Sequence, residues 1–266
     1  MKYVPDSLLL MAVRSFIKHH NCSLDELDVT LPTDVTNHNE YCLADRDDKT
    51  LLGFIDRGDI MCLNSAWNNG HVKQRGWPPN SMSRAAYKGY VNVMEFLHEH
   101  DCPWDEKTTA SAASRGHIEC LKFAHKHGCP WSYDTTAVAV EFGQIDCLKY
   151  ANKNKCPWNP HTTWCAAASG YIDCLKYARK HGCPWSVNTT MSAAICGHFA
   201  CLVYAHEQGC PWHFMTTSVA ALYGRFDCLE YAHKNGCPLD LDAISSAHIG
   251  GSVDCIKYVV KNSRKL

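Results

Sequence analysis

An all-α solenoid of stacked helix-turn-helix units is the fold this sequence predicts. Three observations predict it. A phrase opening Cys-Pro returns every 27 residues, with Trp third in all but its last copy; a second cysteine column and a glycine column keep the same period; and each period holds two short helical segments divided by stop signals.

The phrase begins at Cys102, Cys129, Cys156, Cys183, Cys210 and Cys237. The second cysteine column runs Cys120, Cys147, Cys174, Cys201, Cys228 and Cys255, and the glycine column Gly89, Gly116, Gly143, Gly170, Gly197, Gly224 and Gly251. Twelve of the seventeen cysteines therefore belong to two repeat columns, so their abundance is copied structure and not twelve separate sites. Trp77 extends the pattern upstream, and "DKTLLGFIDRGDIMCL" matches "EKTTASAASRGHIECL" in its Lys-Thr, Gly and Cys-Leu positions. The chain thus reads as an N-terminal segment, 1–46, and a repeat domain, 47–266. The repeat domain holds one degenerate unit near 47–74 with an expanded loop, then seven units of 27 over 75–263.

In the unit 102–128, residues 108–115 are Ala-rich and end at Gly116, which suits a short helix with a C′ glycine. Residues 117–127 place Ile118, Leu121, Phe123 and Ala124 on one side and Glu119, Lys122 and Lys126 on the other, an amphipathic helix. Gly128 ends it and Pro130 keeps it from resuming. Such helices are too short to be stable alone, so stacking must hold them. The Trp column is expected to fold back as a buried latch between units, each ring removing ~150–250 Å² from water, or roughly 4–6 kcal/mol. Cys is expected to fill a tight apolar space beneath the turn. Leu239 for Trp and Ala243 for the first Thr mark a capping last unit.

The stretch "AASRGHIECLKFAHKHGCPW", residues 112–131, resembles the ankyrin-repeat pattern: two alanines, two variable residues, Gly-His, an amphipathic helix, then a glycine turn. Its 27-residue spelling with Cys-Pro-Trp is similar to the short ankyrin-like repeats of giant DNA viruses and some protists. The resemblance implies an ankyrin-like solenoid with shortened hairpin loops, because about six residues are missing where ankyrin repeats of ~33 have their finger. It implies binding through the loop and pre-glycine positions of the concave side. Thr-Thr stands where the family has Thr-Pro-Leu-His, so that motif's histidine bonds are not carried over.

Composition limits function. The chain has 266 residues, 46% hydrophobic, and a formal net charge of −1, which gives no global pull toward nucleic acid or anionic membrane. The opening "MKYVPDSLLLMAVRSFIKHH" is too interrupted for a membrane span and lacks the order of a signal peptide. A cytoplasmic protein (host cytoplasm, if viral) with reduced thiols is expected. Its opening helix would turn Leu8, Leu9, Ala12, Val13, Phe16 and Ile17 inward, as a cap on the first repeat. "VPDSLLL" faintly resembles the start of F-box segments, which makes a ubiquitin-ligase adaptor the alternative.

Sites were weighed against packing. His125, His127 and Cys129 are zinc-ligand types, yet the next unit keeps Cys156 with Asn152 and Asn154, which favours packed cysteine and solvent-exposed histidine. Cys22, Cys42, Cys165 and Cys196 lie off both columns, and Cys165 and Cys196 read as helix packing. No phosphate loop or isolated carboxylate pair marks an enzyme, with a site in the N-terminal segment as the remaining alternative. The Lys122, Lys126, Lys149, Lys153, Lys176 and Lys180 ridge is offset by Glu119, Asp146 and Asp173 and interrupted by Glu207 and Glu230, so a solvated face is expected. The reading is a monomeric, non-catalytic module for another protein, with no metal, cofactor, nucleic acid or membrane. The three residues after each Trp, such as Asp105-Glu106-Lys107 and Ser132-Tyr133-Asp134, vary most, as does the pair before each Gly. Candidate partner-binding residues are Tyr133, Phe142, Phe214 and Tyr223, expected exposed, with Trp164 and Met191 inside first helices.

Overall fold

The computed structural model describes residues 48–159, 161–239 and 242–263, all within the second of the chain's two units, Asp47–Leu266. The expected helix at 4–20, its F-box-like opening, Cys22 and Cys42 lie outside the described residues. Every regular element described is a helix.

The degenerate unit comprises α1 (Asp48–Arg57) and α2 (Ile60–Asn68), and its long loop holds a further short helix, α3 (His71–Arg75). Seven helix pairs follow: α4 (Ser81–Lys88) with α5 (Val91–Glu99), α6 (Glu106–Ser114) with α7 (Ile118–Lys126), and α8 (Asp134–Glu141) with α9 (Ile145–Lys153). Then come α10 (Thr162–Ser169) with α11 (Ile172–Lys180), α12 (Thr189–Cys196) with α13 (Phe199–Glu207), α14 (Thr216–Leu222) with α15 (Phe226–Lys234), and α16 (Asp242–Gly250) with α17 (Val253–Ser263).

Both helices of a unit stop in the same way. In α7 the amide of Cys129 donates to the Ala124 carbonyl across Gly128, and in α6 the amide of His117 donates to Ala112 across Gly116. These six-to-one bonds around a left-handed residue satisfy carbonyls the helix cannot. Gly116 is needed for its φ of +74°, and the Gln144 side chain of the next unit packs over the space a Cβ would take. Helix starts are also built in. Asp105 accepts from the Lys107 amide, Ser132 from Asp134 and Asn159 from His161. That cap explains why α6 begins at Glu106, two residues before the start read from the sequence.

The core is made by the columns. Ala112 and Ala113, Ala166 and Ala167, and Ala193 and Ala194 are fully buried, and so are Leu121, Leu148, Leu175, Leu202 and Leu229. Small alanines let neighbouring first helices approach closely, and the larger residues of the second helices hold those further apart. The first-helix row is therefore the inner side of the stack.

The tryptophans depart from the expected buried latch. Trp77, Trp104, Trp131, Trp158, Trp185 and Trp212 are half-buried, whereas Leu239, which ends the column, is buried. Half-burial reduces the hydrophobic gain to about 2–3 kcal/mol per ring. The latch is polar as well: the indole N–H of Trp77, Trp158, Trp185 and Trp212 donates to the carbonyl of His100, His181, Gln208 and Asn235, 23 residues on. Those are C-cap residues of the second helix that follows each Trp in the same unit. A ring that must reach a helix end at the surface cannot also be enclosed.

The glycine of the Cys-Pro-Trp turn is replaced at Lys155, whose φ of +61° forces a branched Cα into the left-handed region. Lys155→Gly is expected to raise stability by about 1 kcal/mol, because a non-glycine residue there is strained by that order. Urea denaturation at neutral pH checks this, and an unchanged or lower midpoint contradicts it.

Candidate interaction face

The cysteines come first, because their number invites chemistry. In the turn column Cys102, Cys129, Cys156, Cys183, Cys210 and Cys237 are all buried, as are the six of the helix column. Burial pushes Cys102, Cys120, Cys129 and Cys156 up to about 12. It pushes Cys147, Cys174, Cys183, Cys201, Cys210 and Cys228 up to about 11. Thiols so held stay protonated and are poor nucleophiles. The turn thiols also have a bonding role: Cys129 donates to the Asp105 carbonyl at 3.2 Å and Cys156 to Ser132 at 3.4 Å, each reaching back one unit. Cys165 and Cys196 are half-buried free thiols.

Of the two histidines expected to be exposed, His125 departs from expectation and His127 does not. His125 is half-buried: it stacks on Trp131 with centroids 4.7 Å apart, and its Nδ1 lies 3.1 Å from the Tyr150 hydroxyl. His206 repeats this with Trp212 and Tyr231, and Asn152 donates to the Tyr177 hydroxyl from the same column. The column carries a lateral ladder between second helices, so His is used there for its ring and its nitrogen together. His127 is exposed. Among the described residues no group of three His, Cys, Asp or Glu is arranged to hold a metal. On the outer face Lys122 pairs with Glu119 at 2.8 Å and Lys149 with Asp146 at 3.9 Å.

The variable positions divide into two sets. Asp105, Ser132, Asn159, Ser186 and His213 differ in identity but share a task, since each accepts a hydrogen bond from the amide two residues on. They belong to the frame. The next positions do not: Tyr133 and Phe214 stand 59% and 67% exposed at the loop tips. At the other end of the same helices, Phe142 and Tyr223 are 46% and 53% exposed as C-cap residues of α8 and α14. Trp164 and Met191 are the third residues of α10 and α12, in the first helical turn, and half-buried. The six candidates thus share the first-helix row without forming one cluster. They mark the loop tips, the first helical turns and the far helix ends over α8 to α14.

The sequence reading placed Val187 and Met215 in the variable loops without singling them out, and it did not name Tyr87. Val187, in Phe214's column, and Met215, beside it, are exposed, and Tyr87 lies under the guanidinium of Arg115 at 4.4 Å. Tyr87, Lys107, Ser111, Trp131 and Tyr133 line a groove of about 620 Å³ running over α4, α6 and α8. A side chain at every 27th position after Tyr133 was the available signal for Val187.

Helix pairs of this length, joined by tight turns, with a close-packed inner row and a looser outer row, form one kind of stack. Solved structures match it, among them the crystal structure of the human ASB11 ankyrin repeat domain, with a TM-score of 0.55 over 68% of this chain and 96% of that one. The fold is ankyrin-like. Sequence identity to that domain is 12%, so the likeness concerns the fold alone. No family model matches this sequence, and no curated protein does either. Among the described residues of this ankyrin-like stack, no helix is long and apolar enough to cross a membrane.

The thiols give the stack a pH limit. An unfolded thiol ionises near pH 9, whereas the folded column thiols hold their protons to about pH 11 or 12. In that window the unfolded state binds fewer protons, so stability is complete below pH 9 and falls as pH rises through it. Burial shifts Tyr150, Tyr231 and Tyr258 the same way. The denaturation midpoint is expected to drop steeply above pH 9, and less steeply when Cys174, Cys201 and Cys228 are replaced by Ala. Equal slopes for the two proteins contradict burial as the cause.

Proposed function

We propose that residues 47–266 form a non-catalytic protein-binding module that takes its partner on the inner, first-helix face and at the adjoining loop tips. One observation carries the reading. The columns repeated from unit to unit are consumed by packing and by bonds between units, while large apolar side chains stay exposed where the units differ. Tyr133, Phe142, Phe214 and Tyr223 contribute little to the stack and are of the residue types that dominate interface energy. The ankyrin-like fold supports a scaffold over a catalyst, and the buried, proton-holding thiols support it too. Within this reading the chain is a monomeric cytoplasmic adaptor. Its 27-residue unit is of the short type found in giant DNA viruses and some protists.

An unbiased pull-down from the native cell type supplies a partner. Replacing Tyr133, Phe142, Phe214 and Tyr223 together by Ala is then expected to weaken binding by tenfold or more, on the order of hot-spot losses, with the denaturation midpoint nearly unchanged. Leu175→Ala, in the fully buried column, is expected to lose about 2–5 kcal/mol of stability and to affect binding only through unfolding. A fourfold variant that unfolds, or that binds as the parent does, contradicts the assignment.

A further inference from the structure

Charge is distributed unevenly along the first-helix row. α4, α6 and α8 each carry charged residues (Arg84 and Lys88; Glu106 and Lys107; Asp134 and Glu141), and α16 begins with Asp242. The three helices between them read TTWCAAAS, TTMSAAIC and TTSVAAL, without one charged residue. On their open side stand Trp164, Met191, Ile195 and Leu222, all half-buried, large and apolar. Glu141 borders this strip. It is exposed, makes no ion pair among the described residues, and its negative field adds to burial in holding up the Cys165 thiol on α10.

We infer that the partner element laid on α10, α12 and α14 is an amphipathic α-helix, apolar toward the strip and basic where it reaches Glu141. This rests on the inner face being the binding face. Three arguments select that occupant. An extended segment needs hydrogen-bond partners for its own N–H and C=O groups, and a helical face lined by Trp, Met, Ile and Leu supplies almost none. A helix satisfies its backbone internally and can cover such a strip at no such cost. Spacing agrees: neighbouring helices lie ~8–10 Å apart, and a partner helix rises ~10.5 Å in seven residues. Its side chains at i, i+7 and i+14 therefore meet α10, α12 and α14 in turn. Finally, an uncharged strip ending at an unpaired carboxylate complements an apolar helix face that ends in Lys or Arg.

Two phage-displayed peptide libraries of about 18 residues, one on a helix-forming scaffold and one linear, test this on the full chain. Trp164→Ala and Met191→Ala install the residue found at Ala110 and Ala137, and Glu141→Ser installs that of Ser114, so each variant carries a side chain the stack already accepts. The helical library is expected to yield binders with apolar residues at seven-residue spacing and Lys or Arg at one end. The Trp164→Ala, Met191→Ala pair should weaken them by on the order of tenfold or more, and Glu141→Ser several-fold with a reduced salt dependence. Helical binders indifferent to the pair, or carrying an acidic end, overturn the inference. So does a yield from the linear library alone. Linear binders lost in the fourfold Tyr133, Phe142, Phe214, Tyr223 variant would leave the inner face as the binding face and remove only the helix. Binders indifferent to both sets of substitutions, or no binders from either library, remove the inference, and the former removes the binding face with it.

Discussion

From Thr109 onward a buried threonine hydroxyl joins one unit to the next. Thr163 is fully buried in α10; its Oγ1 donates to the Pro184 carbonyl at 3.2 Å, accepts the Ser186 amide at 2.9 Å and accepts the Thr189 hydroxyl at 3.2 Å. Thr109, Thr136 and Thr190 make the same pair of bonds to the following turn. A buried hydroxyl without partners is costly, and so is a turn amide facing the core, so one threonine satisfies two needs. Its bonds fix the Cys-Pro-Trp turn from below. The turn then aims the thiol backward to the preceding loop and the indole forward to the next helix end. The column reads Met82 in the first full unit and Ile244 in the seventh.

This arrangement explains how the stack and its inner face coexist. The units are bonded through hydroxyl, thiol, indole and the His–Tyr ladder, nearly all at the turns and on the outer row. The open side of the first helices takes no part in those bonds. Its residues are free to differ from helix to helix, and over α10, α12 and α14 they become an uncharged, sulfur- and aromatic-bearing strip. A frame that holds itself together at one side can carry any side chain on the other.

The period, the helix pairs and the buried cysteine columns were legible in the sequence because they depend on residue type at fixed spacing. The glycine column was legible as a helix stop, though not the Gln144 or Tyr171 side chain packed over it. Three features were not legible. The half-burial of the tryptophans follows from where helix α5, α11, α13 or α15 ends, which is a tertiary fact. The caps at Asp105, Ser132, Asn159, Ser186 and His213 were hidden because four residue types perform one task. The Thr joint was hidden because Thr-Thr was compared with a motif it does not resemble, and a hydroxyl shows its partners only in three dimensions. Of the candidate face, spacing showed which positions vary, but helix geometry alone separates Tyr133 and Phe142 to opposite ends of α8.

Native-state hydrogen exchange at the Ser186 amide in Thr163→Val tests the joint most directly. That amide donates to the Thr163 hydroxyl, which valine lacks. Its protection is expected to fall by on the order of tenfold or more, with α15 amides keeping theirs and Thr163→Ser restoring it. Unchanged protection of Ser186 in Thr163→Val would show that the turn is held without the threonine, and the account of how the units are joined would be wrong.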